Sequence, residues 1–205
     1  MAKLYFYYAS MNAGKSTTLL QADYNYRERG MGTMLYTAAV DNRAGDGMIA
    51  SRIALASPAA TFDETTDLFA EVAAERARRP VDCVLVDEAQ FLTRRQVDGL
   101  ARIADLLGIP VLAYGLRTDF RGGLFEGSAA LLGIADSLVE LKAVCGCGRK
   151  ATMNLRLDAS GQPVGDGQQT EIGGNDRYVA LCRRHHRAAI EAGVMPLFGT
   201  PAANG

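Results

Sequence analysis

The fold class is decided by the stretch Ala9-Ser10-Met11-Asn12-Ala13-Gly14-Lys15-Ser16-Thr17. It follows a short apolar run from Leu4 to Tyr8 that is typical of a strand, and it leads into a helical pattern over 15–29. A strand-to-helix turn that ends in Gly-Lys-Ser-Thr is typical of a phosphate-binding loop, where backbone N–H groups and the helix N-terminus surround phosphate oxygens. The pattern predicts that Lys15 contacts the β and γ phosphates of a nucleotide and that Ser16 ligates Mg²⁺.

One position departs from this motif. The motif normally opens with glycine, whereas position 9 is alanine, and its Cβ restricts the backbone. The alternative interpretation is a chance Gly-Lys-Ser-Thr at a helix start that binds no ligand. The strand before the turn and the helix after it favour the phosphate-binding loop.

A second motif, Val84-Leu85-Val86-Asp87-Glu88, is an apolar strand that ends in two carboxylates. Asp87, at the carboxyl end of the strand, is expected to hold Mg²⁺ through its water shell, and Glu88, one residue further, to face the substrate. The alternative is that the two acids mark the point where a strand reaches the surface. The phosphate-binding loop earlier in the chain favours the functional interpretation.

Strand and helix patterns alternate from residue 3 to about 142, which is typical of a parallel sheet. The predicted fold is α/β, a P-loop NTPase-like parallel sheet flanked by helices, with a small zinc-binding lid or lasso module. We expect a domain over 1–142, a zinc-binding domain over 143–192 and a flexible tail over 193–205. The predicted strands are Leu4–Tyr8, Thr33–Thr37, Val81–Val86, Val111–Tyr114 and Leu138–Leu141, and the predicted helices are 15–29, 64–78 and 94–107.

The composition excludes several classes of protein. The chain has 205 residues, 48% of them hydrophobic and 22% charged, with a formal net charge of −1. These values exclude a disordered or fibrous chain, and the absence of a basic excess makes nucleic-acid binding an unlikely default. No signal peptide and no apolar run of the ~20 residues that a membrane helix needs are evident, so a cytoplasmic protein without a membrane partner is expected.

Three cysteines and a histidine form two close pairs, Cys145 with Cys147 and Cys182 with His185. Together they predict a closed, structural Cys₃His zinc site, because four protein ligands leave no position for a catalytic water. His186 is a rival for the fourth position, and unliganded surface cysteines or a redox pair are the alternatives. The remaining thiol, Cys83, lies in a buried strand and is expected to be a core residue.

Aromatic and glycine residues follow the predicted strands, at the edge where ligands bind in open α/β sheets. Phe91, Phe120 and Tyr178 are candidates for stacking on a planar base, although core packing is the commoner role of any one aromatic side chain. The backbone of Gly173-Gly174 is a candidate for reading a base edge, and a simple turn is the alternative.

Taken together, these motifs resemble the type II thymidine kinases over residues 3 to about 187. The resemblance implies ATP, Mg²⁺ and structural Zn²⁺, a zinc-held lasso loop that closes over thymidine, and a homotetramer inhibited by thymidine triphosphate. Thymidine is the implied substrate, with deoxyuridine a further candidate. The motifs are residues 11–17, 86–91 and 114–120, the two zinc pairs, and Ile172-Gly173-Gly174-Asn175-Asp176-Arg177-Tyr178.

The resemblance also implies residue roles. Glu88 matches the family's general base, Asp87 its Mg²⁺-associated acid, and Asp41 with Arg43 a segment near the phosphates. Cys-x-Cys departs from the Cys-x-x-Cys of many members. The implied nucleotide-binding residues are Ala9, Ser10, Met11, Asn12, Ala13, Gly14, Lys15, Ser16, Thr17, Asp87, Glu88, Ala89 and Gln90, and the implied nucleoside-binding residues are Met11, Phe91, Leu116, Phe120, Gly173 and Tyr178.

Two other functions compete with a kinase. A P-loop ATPase or helicase is suggested by the run Asp87-Glu88-Ala89-Gln90, which resembles a helicase acidic motif, but the chain is too short for the second motor lobe of a helicase. A zinc-ribbon nucleic-acid binder is suggested by Arg183-Arg184-His185-His186-Arg187. These charges are more simply explained as a solvated helix face or as a phosphate contact.

Overall fold

The structure is a computed structural model that describes residues 1–41, 45, 47–169, 177–196 and 198. Arg43 and Gly173, both predicted site residues, lie outside the described residues. The chain forms two compact units: unit 1 comprises Met1–Ala9, Gly14–Arg117 and Leu124–Leu141, and unit 2 comprises Ser10–Ala13, Thr118–Gly123 and Lys142–Gly205. Within the described ranges, no helix has the length and apolar character needed to cross a membrane.

Unit 1 contains a six-stranded sheet in the order β5-β2-β6-β7-β1-β8, and every neighbouring pair is parallel. This confirms the predicted parallel α/β fold. The strands of the sheet are β1 (Leu4–Ala9), β2 (Thr33–Ala38), β5 (Ala60–Phe62), β6 (Cys83–Val86), β7 (Val111–Leu116) and β8 (Ser137–Glu140), and a separate antiparallel hairpin joins β3 (Met48–Ala50) to β4 (Ala56–Pro58).

β6 lies in the middle of the sheet and is buried on both faces. Val84 and Val86 pack into one hydrophobic cluster, whereas Cys83 and Leu85 pack into another on the opposite face, because successive side chains alternate along a strand. The predicted core role of Cys83 is confirmed: the residue is fully buried, and burial raises the pKa of its thiol to about 12. The carboxyl end of this rigid strand carries Asp87 and Glu88.

Helices cover the sheet of unit 1, and three of them correspond to the predicted helices. The third begins at a capping box in which the Thr93 hydroxyl accepts from the Gln96 N–H and the Gln96 side chain accepts from the Thr93 N–H. A fourth helix was not predicted, because two glycines interrupt its sequence and no side chain caps its start. The helices are α1 (Lys15–Glu28), α2 (Leu68–Arg76), α3 (Arg94–Leu107) and α4 (Glu126–Ile134), and a 3-10 helix spans Ala89–Phe91.

Gly127 of α4 lies against the backbone of the 3-10 helix that follows Glu88. A Cβ at this position would be 2.5 Å from the Ala89 carbonyl oxygen and 2.7 Å from that of Leu92. We therefore expect Gly127→Ala to reduce the free energy of unfolding by about 1–3 kcal/mol, because the 3-10 helix must shift. Chemical denaturation measures this effect.

Gly133 provides the matched control on the same helix. A Cβ there would meet no atom within 4 Å. Gly133→Ala is expected to be neutral or to stabilise by about 0.5–1 kcal/mol through helix propensity. Equal free energies of unfolding for the two variants would contradict the close packing of α4 on the 3-10 helix.

Within its described residues, unit 2 has two small antiparallel sheets and one helix. Its core includes the fully buried Leu155 and Leu181, and Phe198, in the expected tail segment, packs against it. Arg183, Arg184 and Arg187 are exposed, as expected for a solvated helix face. The elements are β9 (Ala143–Val144) with β10 (Lys150–Ala151), then β12 (Pro163–Val164), β11 (Met153–Leu157) and β13 (Tyr178–Leu181) in one sheet, and α5 (Arg183–Ala192).

Candidate active site

In unit 1, the start of α1 and the end of β6 lie side by side. Gly14 adopts a left-handed conformation (φ 79°) as the N-cap of α1, and Lys15 is buried with 9% exposure. The Ser16 hydroxyl donates to Asp87 Oδ2 over 2.8 Å. The phosphate-binding motif and the acidic motif, 71 residues apart in sequence, are thus joined by a direct hydrogen bond.

Ala9 fits the structure despite its departure from the motif. It is the last residue of β1, is 4% exposed, and pairs in register with Leu116 of β7. A strand conformation accommodates a Cβ without strain, so the position does not need glycine here.

Asp87 and Glu88 are buried at the carboxyl end of β6, with 3% and 8% exposure. Burial and the neighbouring charge of Glu88 raise the pKa of Asp87. Glu88 has a left-handed backbone (φ 51°, ψ 39°), which costs a non-glycine residue about 1–2 kcal/mol. Such backbone strain is concentrated at functional sites, where the surrounding structure enforces it.

Gln90 connects Glu88 to β7. Its Nε2 donates to Glu88 Oε2 over 2.5 Å, and its Oε1 accepts from the Leu116 N–H over 2.9 Å. The side chain is 2% exposed. Both ends of this amide therefore contact protein groups, and the amide orients one carboxylate oxygen of Glu88.

The side-chain oxygens of Ser16 and Asp87 in unit 1 are suitable ligands for a magnesium ion. Mg²⁺ prefers oxygen ligands and is usually bound through one or two carboxylates together with substrate phosphates. The Ser16 hydroxyl and the Asp87 carboxylate already lie within hydrogen-bond distance of each other. The residues present therefore fit Mg²⁺, and its binding stays a prediction.

In unit 2, Asn154 of β11 joins two segments that carry predicted site residues. Its Oδ1 accepts from the Met11 N–H over 2.7 Å, and its Nδ2 donates to the Thr118 carbonyl over 3.1 Å. The Ser10 hydroxyl contacts the Ala151 carbonyl oxygen at 3.4 Å. Asn154 is 2% exposed, so these hydrogen bonds replace solvation that burial removes.

Arg156 lies two residues further along β11 and contacts Phe120. Its guanidinium carbon is 3.9 Å from the centroid of the Phe120 ring, a cation–π geometry. Sequence analysis missed both Asn154 and Arg156. The signal was present, because two polar residues at alternating positions in an otherwise apolar strand share one face.

The other predicted nucleoside residues have ordinary packing. In unit 1, the rings of Phe91 and Phe125 pack edge to face with their centroids 6.0 Å apart, and Leu116 is half-buried. In unit 2, Tyr178 pairs with Arg156 across the β11–β13 ladder. Asp41, which was predicted to lie near the phosphates and not at the nucleoside, is in a turn where its N–H donates to the Ala38 carbonyl.

The four predicted zinc ligands are brought together in unit 2. Their ligand atoms all lie within 4.8 Å of one another. Cys145 Sγ is 3.4 Å and Cys182 Sγ 3.6 Å from His185 Nδ1, and the sulfurs of Cys147 and Cys182 are 3.9 Å apart. A tetrahedral site with Zn–S bonds of about 2.3 Å places its ligand atoms about 3.5–3.8 Å apart, close to these three separations, so the cluster could hold Zn²⁺ after a small adjustment.

A turn over residues 145–149 brings both sulfurs of the Cys-x-Cys pair to the cluster. The Cys145 N–H donates to the Arg149 carbonyl over 2.7 Å, and the Gly148 N–H donates to the Cys145 carbonyl over 2.8 Å. Gly148 has φ 79°, which favours glycine. A hydrogen bond from the backbone of Arg149 lowers the pKa of the Cys147 thiol, which favours the thiolate that binds metal.

The parallel sheet, the Gly-Lys-Ser turn bonded to a strand-end aspartate, and the Cys₃His cluster define a nucleotide-binding α/β protein of the P-loop class with a metal-binding module. The family model described as "Thymidine kinase" matches residues 2–186. The chain belongs to the thymidine kinase family.

Relatives with this name cover nearly the whole chain. A thymidine kinase of Novosphingobium aromaticivorans is 72% identical over 93% of this chain and 99% of its own length. The corresponding protein of Zymomonas mobilis is 63% identical over 90% of this chain and 96% of its own. That of Salmonella typhimurium is 61% identical over 94% of each chain.

One solved structure that this chain resembles is a more distant relative. A Pif1 helicase from Candida albicans is 16% identical and gives a TM-score of 0.42 over 72% of this chain and 37% of that chain. A likeness at this level carries no argument about function.

Proposed function

We propose that this chain is an ATP-dependent thymidine kinase that transfers the γ-phosphoryl group of ATP to the 5′-hydroxyl of thymidine. Family membership supports the substrate pair. The observation that carries the chemistry is the end of β6, where Glu88 is held beside Asp87, and Asp87 is bonded to Ser16 of the phosphate-binding turn. An acid–base group thus adjoins the part of the motif that binds phosphates.

Glu88 acts as the general base. A nucleoside hydroxyl is a weak nucleophile at neutral pH, so a carboxylate must accept its proton while the new O–P bond forms. The bond between the γ-phosphorus and the β–γ bridging oxygen breaks, and ADP leaves. The products are thymidine monophosphate and ADP, and the proton remains on Glu88 until solvent removes it.

Lys15 and the backbone N–H groups at the start of α1 stabilise the charge of the transferring phosphoryl group. Ser16 and Asp87 would hold Mg²⁺, which when bound neutralises charge on the β and γ phosphates. Burial and the charge of Glu88 raise the pKa of Asp87, and the positive charge of a bound ion would favour its carboxylate form. Glu88 borders the nucleotide, whereas the predicted contributions of Ala89 and Gln90 are indirect, because both residues are buried and the Gln90 amide bonds to Glu88 and to the Leu116 N–H.

Both units contribute residues that we expect to contact the nucleoside. In unit 1 they are Phe91 and Leu116, and in unit 2 they are Met11, Phe120 and Tyr178, with Gly173 of the lasso. Several further properties stay predictions. They are the use of deoxyuridine as an alternative substrate, inhibition by thymidine triphosphate, assembly into a homotetramer, the absence of a nucleic-acid partner and a cytoplasmic location. The structural role of Zn²⁺ follows from its four protein ligands.

The matched pair of thymidine and 5′-deoxythymidine tests the reaction. The second compound lacks the acceptor hydroxyl but keeps the base and most of the sugar. With ATP and Mg²⁺, thymidine should stimulate ADP formation, whereas 5′-deoxythymidine should inhibit that stimulation and yield no phosphorylated product. Equal ADP formation with both compounds would identify an ATPase instead.

Gln90 is expected to affect turnover more than binding. Gln90→Leu removes the hydrogen bond to Glu88 Oε2 and the acceptor for the Leu116 N–H. Because the base then loses its fixed orientation, kcat should fall about 10–100-fold while the KM for ATP changes less than about threefold. Steady-state kinetics measure both quantities.

The control for Gln90 is an exposed glutamine, Gln21, whose amide bonds to Asn25 one turn further along α1. Gln21→Leu should leave kcat within about twofold of the parent value. A Gln90→Leu enzyme with unchanged kcat would show that Glu88 does not depend on this amide.

A further inference from the structure

His186 is next to a zinc ligand but faces a different part of unit 2. Consecutive helix residues project about 100° apart, so the two histidines of α5 point in different directions. His185 Nδ1 faces the cysteine sulfurs, whereas His186 is 8% exposed and its Nε2 lies 2.8 Å from the carbonyl oxygen of Phe120. This geometry favours His185 over His186 as the fourth ligand, and His186 has a separate contact.

The contact defines the tautomer of His186. A backbone carbonyl oxygen only accepts hydrogen bonds, so Nε2 must carry the proton and donate it to Phe120. Phe120 itself is 1% exposed. Removing the donor would leave a buried carbonyl without this hydrogen bond, a loss that corresponds to about 5–100-fold in an equilibrium that depends on it.

The loop that carries Phe120 is held by contacts from three side chains. Asp119 Oδ1 accepts from the backbone N–H groups of Arg121 and Gly123, which fixes the turn itself. Arg156 covers the face of the Phe120 ring. His186 adds a contact to the main chain of Phe120 from α5, the helix that begins in the zinc cluster.

The other end of this connection is the zinc cluster. Cys182 is the N-cap of α5, and the His186 N–H donates to the Cys182 carbonyl over 3.0 Å. A metal bound by Cys182 and His185 would fix the first turn of α5, and this turn carries His186. The position of the imidazole is therefore set by the same turn that supplies two metal ligands.

We propose that His186 is a positioning residue that connects the metal-bound turn of α5 to Phe120. Its Nε2–H bond holds the main chain at Phe120, so that the turn over residues 119–123, which carries this buried ring, keeps the position from which it would act on the nucleoside. The proposal rests on the proposed function, because the contact between Phe120 and thymidine is part of it. The zinc cluster is thereby linked to nucleoside affinity in addition to stability.

Two variants of the zinc-loaded full chain separate this role from simple packing. His186→Phe keeps a planar ring but has no donor, whereas His186→Gln places an amide N–H near the position of Nε2. The thymidine KM and the calorimetric Kd for thymidine should rise about tenfold in His186→Phe and stay within about threefold of the parent in His186→Gln. The KM for ATP should change less than about twofold in both.

The opposite results overturn the proposal. These are an unchanged thymidine Kd in His186→Phe, equal changes of the thymidine Kd in His186→Phe and His186→Gln, or a rise in the KM for ATP that matches the rise in the KM for thymidine. Zinc content, measured with a chromophoric chelator, should equal the parent value in both variants, and its loss would show that His186 acts on the metal site instead.

A measurement on the unmutated protein keeps the proposal testable if His186→Phe does not fold. The chain has two histidines, so ring-¹⁵N-labelled holoprotein gives two imidazole spin systems. The His186 ring should show a proton on Nε2 that exchanges slowly with water, and an Nδ1–H tautomer would refute the hydrogen bond. Failure of the parent protein to phosphorylate thymidine would instead refute the proposed function, and this spectrum does not depend on it.

Discussion

Replacing Glu88 by Gln is expected to lower kcat for thymidine phosphorylation by about 10²–10⁴-fold. The amide has nearly the shape of the carboxylate but cannot accept the proton of the 5′-hydroxyl. The hydrogen bond from Ser16 to Asp87 does not involve Glu88, so the Kd for ATP should stay within about threefold of the parent. Single-turnover kinetics and calorimetric titration with an ATP analogue measure the two effects.

The control for this variant is Glu64→Gln, which makes the same chemical change at an exposed position. It should alter kcat by less than about twofold. If Glu88→Gln retained near-normal turnover while Glu64→Gln behaved as expected, the assignment of Glu88 as general base would be wrong.

Replacing Cys182 by Ser is expected to abolish zinc binding and to unfold much of unit 2. Cys182 contributes a sulfur to the cluster at the N-terminus of α5, and the core of unit 2 consists of small clustered side chains with few large ones. Structural zinc sites contribute apparent binding energies of about 10–16 kcal/mol in small domains, far more than this core supplies. Metal analysis and hydrogen exchange over residues 142–196 measure the loss.

Cys83→Ala is the matched control, because Cys83 is the one cysteine that lies in the sheet of unit 1 and outside the cluster. It should retain a full complement of zinc and lose only about 1–2 kcal/mol of unfolding free energy. A Cys182→Ser protein with full zinc content and unchanged exchange protection would contradict a structural zinc site.

Features that depend on neighbouring residues were predictable from the sequence. The apolar run before Asp87 predicted the buried strand β6, and the turn at Gly14 predicted the start of α1. The two Cys-containing pairs predicted the metal cluster, because ligand spacing within each pair is local. Strands β3 and β5, with three residues each, were missed because a run of this length shows no period.

Features that depend on distant residues were not predictable. Gln90 was expected to bind nucleotide, and its partner Leu116, 26 residues away, appears only when β6 and β7 are paired. The bond from Met11 to Asn154 spans 143 residues. The choice between His185 and His186 likewise required the direction in which each ring leaves α5, which depends on packing.

The most direct test of the account is transfer of labelled γ-phosphate from ATP to each of the four deoxynucleosides in the presence of Mg²⁺. The parent protein should form labelled thymidine monophosphate, and the purine nucleosides and deoxycytidine should remain unlabelled. Release of free labelled phosphate with no labelled nucleoside would contradict the assignment of the chain as a thymidine kinase.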